Sequence, residues 1–292
     1  MVMLADLLRL GEVALQATSP TPRLDAEVLL GHVLQFERWK LVAELRSEVS
    51  QVSEAQFKAF IERRSCSEPV AYITGVREFW GLQFEVTPDV LIPRPETEGL
   101  VEEALRCLKE PSFSANRDSV GFVDLGTGSG CLACSITQEL KRTGFSSWCT
   151  AVDLSPKALS VAERNAVSLG LEDQISFVES SWFSNRALFR PPYDFVVVNP
   201  PYIATGETVS PELAFEPKGA LFADGVGLNE VRRIIEEAND FIRPGGFLIC
   251  ELGAHKRAAI KPELDSVLSA RKWSVLGDDS EADRFSFLRV WY

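Results

Sequence analysis

From Val120 onward, short apolar runs alternate with segments of helical periodicity, and no other feature of the chain restricts its fold as tightly. The spacing predicts strands at Val120–Leu125, Trp148–Asp153, Gln174–Val178, Asp194–Val198 and Gly246–Glu251, with two more near Trp273–Leu276 and Phe285–Val290. Between them it predicts helices over Leu132–Arg142, Ser155–Leu169, Leu228–Phe241 and Lys256–Ser269. Ser155 is the N-cap candidate of the second helix, and Pro156 takes its first position, where a missing N–H is harmless. Such alternation implies an α/β domain: a mostly parallel sheet with helices on both faces. Ligands of open α/β sheets bind beyond the C-terminal ends of the strands.

Two of those strand ends carry unusual residues. The first strand runs into Asp124-Leu125-Gly126-Thr127-Gly128-Ser129-Gly130, which then opens a helix. Glycines there let the backbone turn tightly and approach a ligand. The next strand ends in Asp153, where a carboxylate can accept both hydroxyls of a ribose. A nucleoside is therefore expected. A dinucleotide fingerprint counted from Gly126 fails at Cys131, whereas the looser form counted from Gly128 is met by Ala133. The full Asp-x-Gly-x-Gly-x-Gly loop is the pattern of S-adenosylmethionine-dependent methyltransferases.

The fourth strand stops in Asn199-Pro200-Pro201-Tyr202. Neither proline has an N–H and both have fixed φ, so sheet and helix alike end there and the loop is stiff. Asn199 carries an amide carbonyl acceptor, and the Pro200 carbonyl lies one step away. Two acceptors beside an aromatic ring suit a planar carboxamide or the exocyclic amino group of a base.

Upstream, the chain reads as a small helical bundle over residues 1–69, with helices at 3–17, Leu24–Phe36, Arg38–Leu45 and Glu54–Arg64. Ser53 is the N-cap candidate of the last. Residues 70–95 read as a linker holding a β-hairpin around Phe79–Val86, and Leu91-Ile92-Pro93-Arg94-Pro95 enters a helix at about Glu96–Leu108. The catalytic domain is then 96–292. A net charge of −12 argues against general affinity for nucleic-acid phosphates. No apolar run reaches the roughly 18 residues of a membrane span. The N-terminus lacks a basic, apolar leader, and six scattered cysteines read as reduced thiols in a cytoplasmic protein.

These residues together resemble the peptide chain release factor N5-glutamine methyltransferases, the PrmC/HemK family. The likeness runs through Arg77-Glu78-Phe79-Trp80, Leu91–Glu98, the glycine loop, Trp182-Phe183, Asn199–Ile203 and Phe215-Glu216-Pro217. Ser181 departs from the aspartate the family often has before Trp-Phe. The resemblance implies a Rossmann-like class I methyltransferase with a seven-stranded sheet, behind an N-terminal bundle that recognises release factors. It implies S-adenosyl-L-methionine as cofactor, S-adenosyl-L-homocysteine as product, and the glutamine of the Gly-Gly-Gln motif of class I release factors as target. Cofactor contacts are then expected from Gly126, Thr127, Gly128, Ser129, Gly130, Asp153, Trp182 and Asn199, with Trp182 beside the base. Asn199, Pro200, Pro201 and Tyr202 carry catalysis, and they hold the substrate together with Phe79. No metal, nucleic acid or membrane takes part, and the enzyme is expected to be a monomer.

Two rivals are weighed. An N6-adenine methyltransferase uses a related Asn/Asp-Pro-Pro motif but needs a basic target-recognition surface. A cofactor sensor without turnover has no use for an amino-group clamp. Cys131 and Cys134 form a lone Cys-x-x-Cys, read as helix packing. His255 and His32 offer no triad. Asp124 is expected to orient its loop, and Glu251 to cap the helix that follows it.

Overall fold

The computed structural model describes residues 2–110, 113, 119–223, 228–253, 265, 268, 272–276 and 285–292. Apart from Asp265 and Leu268, the expected helix over Lys256–Ser269 lies outside the described residues, as does His255. Contacts divide the chain into two units: Met1–Val76 with Val209–Phe215, and Arg77–Thr208 with Glu216–Tyr292.

Among its described residues the first unit holds five α-helices, α1 (Leu4–Leu15), α2 (Pro22–Leu34), α3 (Arg38–Ala43), α4 (Gln51–Ser65) and α5 (Val70–Thr74), and a short antiparallel pair, β1 (Val2–Met3) and β2 (Glu48–Val49). Leu4, Leu7 and Leu8 recur at helical spacing and close a core with Leu29, Leu30, Phe57 and Ile61. Gly11 permits the close approach of these helices, because a Cβ there would stand 2.8 Å from the Phe57 ring. Helix α4 starts three residues earlier than its sequence suggests: Ser50, not Ser53, is the cap, its Oγ accepting the Ser53 N–H at 3.1 Å. The unit also runs past residue 69. Ile73 of α5 packs in the bundle core, so the boundary falls at Val76. Arg64 is buried, donating to Asp25 at 2.6 Å and to Glu212 at 2.5 Å, and this pairing ties the Val209–Phe215 segment into the bundle.

The second unit is built on a seven-stranded sheet. Its strands are β5 (Ser119–Leu125), β6 (Ser146–Asp153), β7 (Ile175–Glu179), β8 (Tyr193–Val198), β11 (Ile242–Gly253), β12 (Trp273–Leu276) and β13 (Phe285–Trp291). The order is β12-β13-β11-β8-β5-β6-β7, parallel except for β13. Between strands lie α6 (Glu98–Leu108), α7 (Cys131–Arg142), α8 (Pro156–Ser168), α9 (Lys218–Leu221) and α10 (Leu228–Ala238), and β9 (Ile203–Ala204) pairs in parallel with β10 (Phe222–Ala223) apart from the main sheet. Ser155 caps α8 as expected, accepting the Ala158 N–H at 3.2 Å.

Register places Phe122, Phe195 and Phe247 side by side on three neighbouring strands. Their rings stack at 4.8 and 5.0 Å. Burying each such side chain contributes about 1.5–3 kcal/mol, and each ring pair a further ~0.5–1.5 kcal/mol. This column fixes β5, β8 and β11 against one another. The chain leaves β5 toward β6 and β7, then returns to its other side as β8. The C-terminal ends of β5 and β8 therefore flank a topological switch point.

A hairpin of β3 (Val76–Phe79) and β4 (Leu82–Glu85) turns through Trp80 and Gly81, both at positive φ, as a two-residue turn requires. Asn165 of α8 brackets it: its carboxamide accepts the Glu85 N–H at 2.7 Å and donates to the Glu85 and Ser129 carbonyls. From Arg77 on, the hairpin therefore packs within the second unit.

Candidate active site

A cavity of about 570 Å³ opens at the switch point, within the range that holds small-molecule ligands. Gly126, Gly128, Asp153, Trp182, Asn199 and Pro201 line it, all in the second unit. The glycine loop is shaped from within. The Gly126 and Thr127 N–H groups both donate to the Val152 carbonyl at 2.8 Å, and Gly130 closes the turn on the Thr127 carbonyl. Gly126, Gly128 and Gly130 all have positive φ. At Gly130 a Cβ would also meet Ala162 at 3.1 Å, so glycine is needed twice over.

Thr127 and Ser129 are buried and do not line the cavity. The Thr127 hydroxyl donates to Asp124 Oδ2 at 2.7 Å, and the Ala133 N–H donates to the same oxygen at 3.1 Å. Asp124 therefore orients the loop and the start of α7. Burial pushes its carboxyl up to about 7.

Asp153 faces the cavity. Its Oδ2 accepts the Gly128 N–H and its Oδ1 the Ser155 N–H, both at 2.9 Å. Burial raises its pKa, and these hydrogen bonds oppose the rise. Each carboxyl oxygen keeps a second lone pair, so the group can still accept two hydroxyls. An anionic pyrophosphate fits this loop poorly. Four of its N–H groups are spent internally, and a carboxylate stands at its edge. A nucleoside with a cationic tail fits: among the described residues, Asp89, Asp153 and Glu230 line the cavity against one cation, Arg233. The dinucleotide reading is set aside on this ground.

Trp182 forms a wall. Its backbone is left-handed, at φ 49°, and its Nε1–H donates to Glu230 at 2.5 Å. The ring lies over Gly126, where a Cβ would stand 3.6 Å away.

Asn199 Nδ2 donates to the Thr97 hydroxyl at 3.1 Å. Asn199 lines the cavity, and with its nitrogen committed to Thr97 the carboxamide keeps Oδ1 as its acceptor. Pro200 is buried, and Tyr202 is half-buried. The Tyr202 ring packs on Gly253 at the end of β11, and burial pushes its phenol up to about 12.

Phe79 departs from expectation. It is 1% exposed, edge-on to Phe84 in the main core, and does not line the cavity. Its strand alternates outward and inward, and Phe79 falls on the inner face. Phe79 is therefore a core residue and not the substrate contact expected of it. Trp80 is tied down too, its Nε1–H donating to Glu139 at 3.2 Å. Burial likewise drives the Cys131 thiol up to about 12 and the Cys134 thiol up as well, so neither is a thiolate.

Comparison with known proteins agrees with this geometry. Residues 6–75 match the PrmC N-terminal domain and 105–226 the Methyltransferase small domain. A release factor glutamine methyltransferase of Burkholderia pseudomallei is 41% identical over 256 residues, covering 85% of each chain. One of Salmonella typhimurium is 38% identical over 245 residues, covering 83% of each. The chain belongs to the release factor glutamine methyltransferase family. It is an S-adenosylmethionine-dependent methyltransferase. Among solved structures, the hMettl16 catalytic domain in complex with the MAT2A 3′UTR hairpin 1 superposes with a TM-score of 0.55 at 17% identity, over 86% of this chain and 84% of that one. At that identity the likeness concerns the fold alone.

The sequence marked Thr97 only as part of the Leu91–Glu98 likeness and left Asn165, Glu230 and Arg233 unremarked. Each acts through a contact far along the chain. Thr97, for example, meets Asn199 across more than a hundred positions.

Proposed function

We propose that this enzyme methylates the side-chain amide nitrogen (N5) of the glutamine in the Gly-Gly-Gln motif of class I peptide chain release factors. The observation that carries the reading is the Asn199 carboxamide at the cavity wall, held through Nδ2 on Thr97, which leaves Oδ1 as its acceptor. Glycine-loop residues Gly126 and Gly128, with Asp153 and Trp182, hold S-adenosylmethionine. That cofactor supplies an electrophilic methyl group on a sulfonium.

The protein's own share of the work is positional. An amide nitrogen is a weak nucleophile because its lone pair is delocalised into the carbonyl. Asn199 Oδ1 and the Pro200 carbonyl each accept one N–H, fixing the nitrogen and favouring pyramidal character as positive charge develops. Pro201 stiffens the loop, and Tyr202, braced on Gly253, flanks the glutamine side chain. The proton leaves to water after transfer, so no general base is required.

The N-terminal unit, which brings no catalytic cluster to the reaction, recognises the release factor. Six free thiols suit a reducing cytoplasm, and a net charge of −12 favours a protein target over nucleic acid. Among the described residues no helix is long and apolar enough to cross a membrane. We assign a monomer acting on one release factor at a time. Mass spectrometry of a purified class I release factor, incubated with enzyme and cofactor, tests the reading: one added methyl on the Gly-Gly-Gln glutamine is expected. Methyl groups on other residues alone would overturn it.

A further inference from the structure

Glu251 has no role in the mechanism above, yet it is the most anomalous side chain near it. It lies on β11, one residue beyond Cys250, which pairs with Val198. It therefore sits beside Asn199. It is fully buried, and neither carboxyl oxygen has a donor at hydrogen-bonding geometry. A buried, unsatisfied carboxyl is costly and calls for a reason. The Thr97 hydroxyl and the Asn199 carboxamide nevertheless interact with it closely enough to lower its pKa.

Thr97 links Glu251 to Asn199. Its hydroxyl has one proton to give and lone pairs to receive. In the structure it receives from Asn199 Nδ2. A hydroxyl beside a carboxamide can equally donate to the carboxamide oxygen, which would turn the Asn199 side chain over. Something must break the tie. We propose that Glu251 is a positioning residue: as a carboxylate it accepts a hydrogen bond from the Thr97 hydroxyl, so that Thr97 can only accept from Asn199, and Asn199 must present its oxygen to the substrate. This rests on the reading of Asn199 as the acceptor for the substrate amide.

The reverse state is inactive. A neutral Glu251 donates to Thr97, Thr97 donates to Asn199 Oδ1, and the Asn199 NH₂ then faces the substrate NH₂, donor against donor. Burial pushes the Glu251 carboxyl up to about 7, so both states lie within reach of ordinary pH. Glu96 raises it further, and Arg94, itself paired with Glu216, lowers it. Tyr202 and Cys250 face it from the loop after β8 and from β11, but both are pushed upward and neutral near pH 7. Phe287, opposite on β13, carries no charge. The sign follows: activity is present above the Glu251 pKa and is lost as pH falls through it.

The test compares wild type, Glu251→Gln, Thr97→Val and Thr97→Ser in single-turnover methylation of a class I release factor between about pH 6 and pH 9. Cofactor affinity and thermal stability are measured alongside. Glu251→Gln is expected to lose ~10²-fold in rate at high pH, comparable to losing one preorganised partner, with cofactor affinity within a few-fold and the acid limb near pH 7 abolished. Infrared difference spectra of the cofactor-free protein should show two carboxyls ionising near pH 7, Asp124 and Glu251; one of the two signals is lost in Glu251→Gln and moves upward in Thr97→Val. If Glu251→Gln does not fold, Thr97→Val reads the same relay: it should lose the rate, and Thr97→Ser should restore most of it. Wild-type rate in Glu251→Gln or Thr97→Val overturns the proposal. So does an acid limb that survives in Glu251→Gln, or a Glu251 carboxyl that stays protonated across the active range. Failure of wild type to methylate the glutamine would instead overturn the functional reading itself.

Discussion

Gly253→Ala tests how the end of β11 supports the Asn-Pro-Pro-Tyr loop. A Cβ there would stand 2.7 Å from Tyr202 Cδ2, 3.0 Å from Cγ and 3.3 Å from Cβ. Carbon atoms sit comfortably at about 3.5–4.0 Å, so the ring must retreat by roughly 1 Å. It cannot turn away freely, because the crowding extends to its own Cβ and Pro201 stiffens the backbone before it. Overpacking of this kind costs about 1–3 kcal/mol. For a unit of roughly 200 residues that lowers Tm by ~2–4 °C per kcal/mol. A displacement near 1 Å at the reacting centre also costs on the order of 10² in rate. Calorimetry and single-turnover methylation measure the two effects separately. Cofactor affinity should stay within a few-fold, since Tyr202 does not line the cavity. The decisive control is the Tyr202→Ala background, where Gly253→Ala should carry little further stability cost. Equal cost in both backgrounds would refute the contact, and a wild-type rate in the single variant would refute its bearing on catalysis.

Other variants probe different parts of the account. Asp153→Asn keeps an acceptor for one backbone N–H but loses the charge, and should weaken S-adenosylmethionine binding by ~1.5–3 kcal/mol in titration calorimetry. Unchanged affinity in the folded variant would remove the ribose assignment. Arg64→Ala strips Asp25 of its buried partner and should destabilise the N-terminal unit by ~3–5 kcal/mol in urea, leaving cofactor binding intact.

The sheet was legible because its strands are short apolar runs bounded by polar or turn residues, as Phe195–Val198 is by Asp194 and Asn199. The cavity walls at Gly126, Gly128, Asp153 and Asn199 were legible because each sits at a strand end, where sequence order fixes location. Side-chain direction was not. Phe79 and Trp80 look alike as exposed aromatics in a sequence, and only the core pairing with Phe84 decides that Phe79 turns inward. The Thr97–Asn199 bond and the Trp182–Glu230 bond join residues whose separation no local pattern encodes. The cap of α4 was misjudged because Ser50 and Ser53 both suit an N-cap, and the choice rests on backbone geometry. The Val209–Phe215 segment joins the bundle through Arg64 and Glu212, a pairing invisible along the chain.

The central claim is that Asn199 acts on the methyl-transfer step and not on cofactor retention. Single-turnover methylation of a saturating class I release factor by Asn199→Ala, with S-adenosylmethionine affinity measured separately, addresses it most directly. The account predicts a loss of ~10²–10³ in rate, with affinity within a few-fold of wild type and Asn199→Asp intermediate because it keeps an acceptor. A wild-type rate in Asn199→Ala would contradict it and leave Asn199-Pro200-Pro201-Tyr202 as a structural turn.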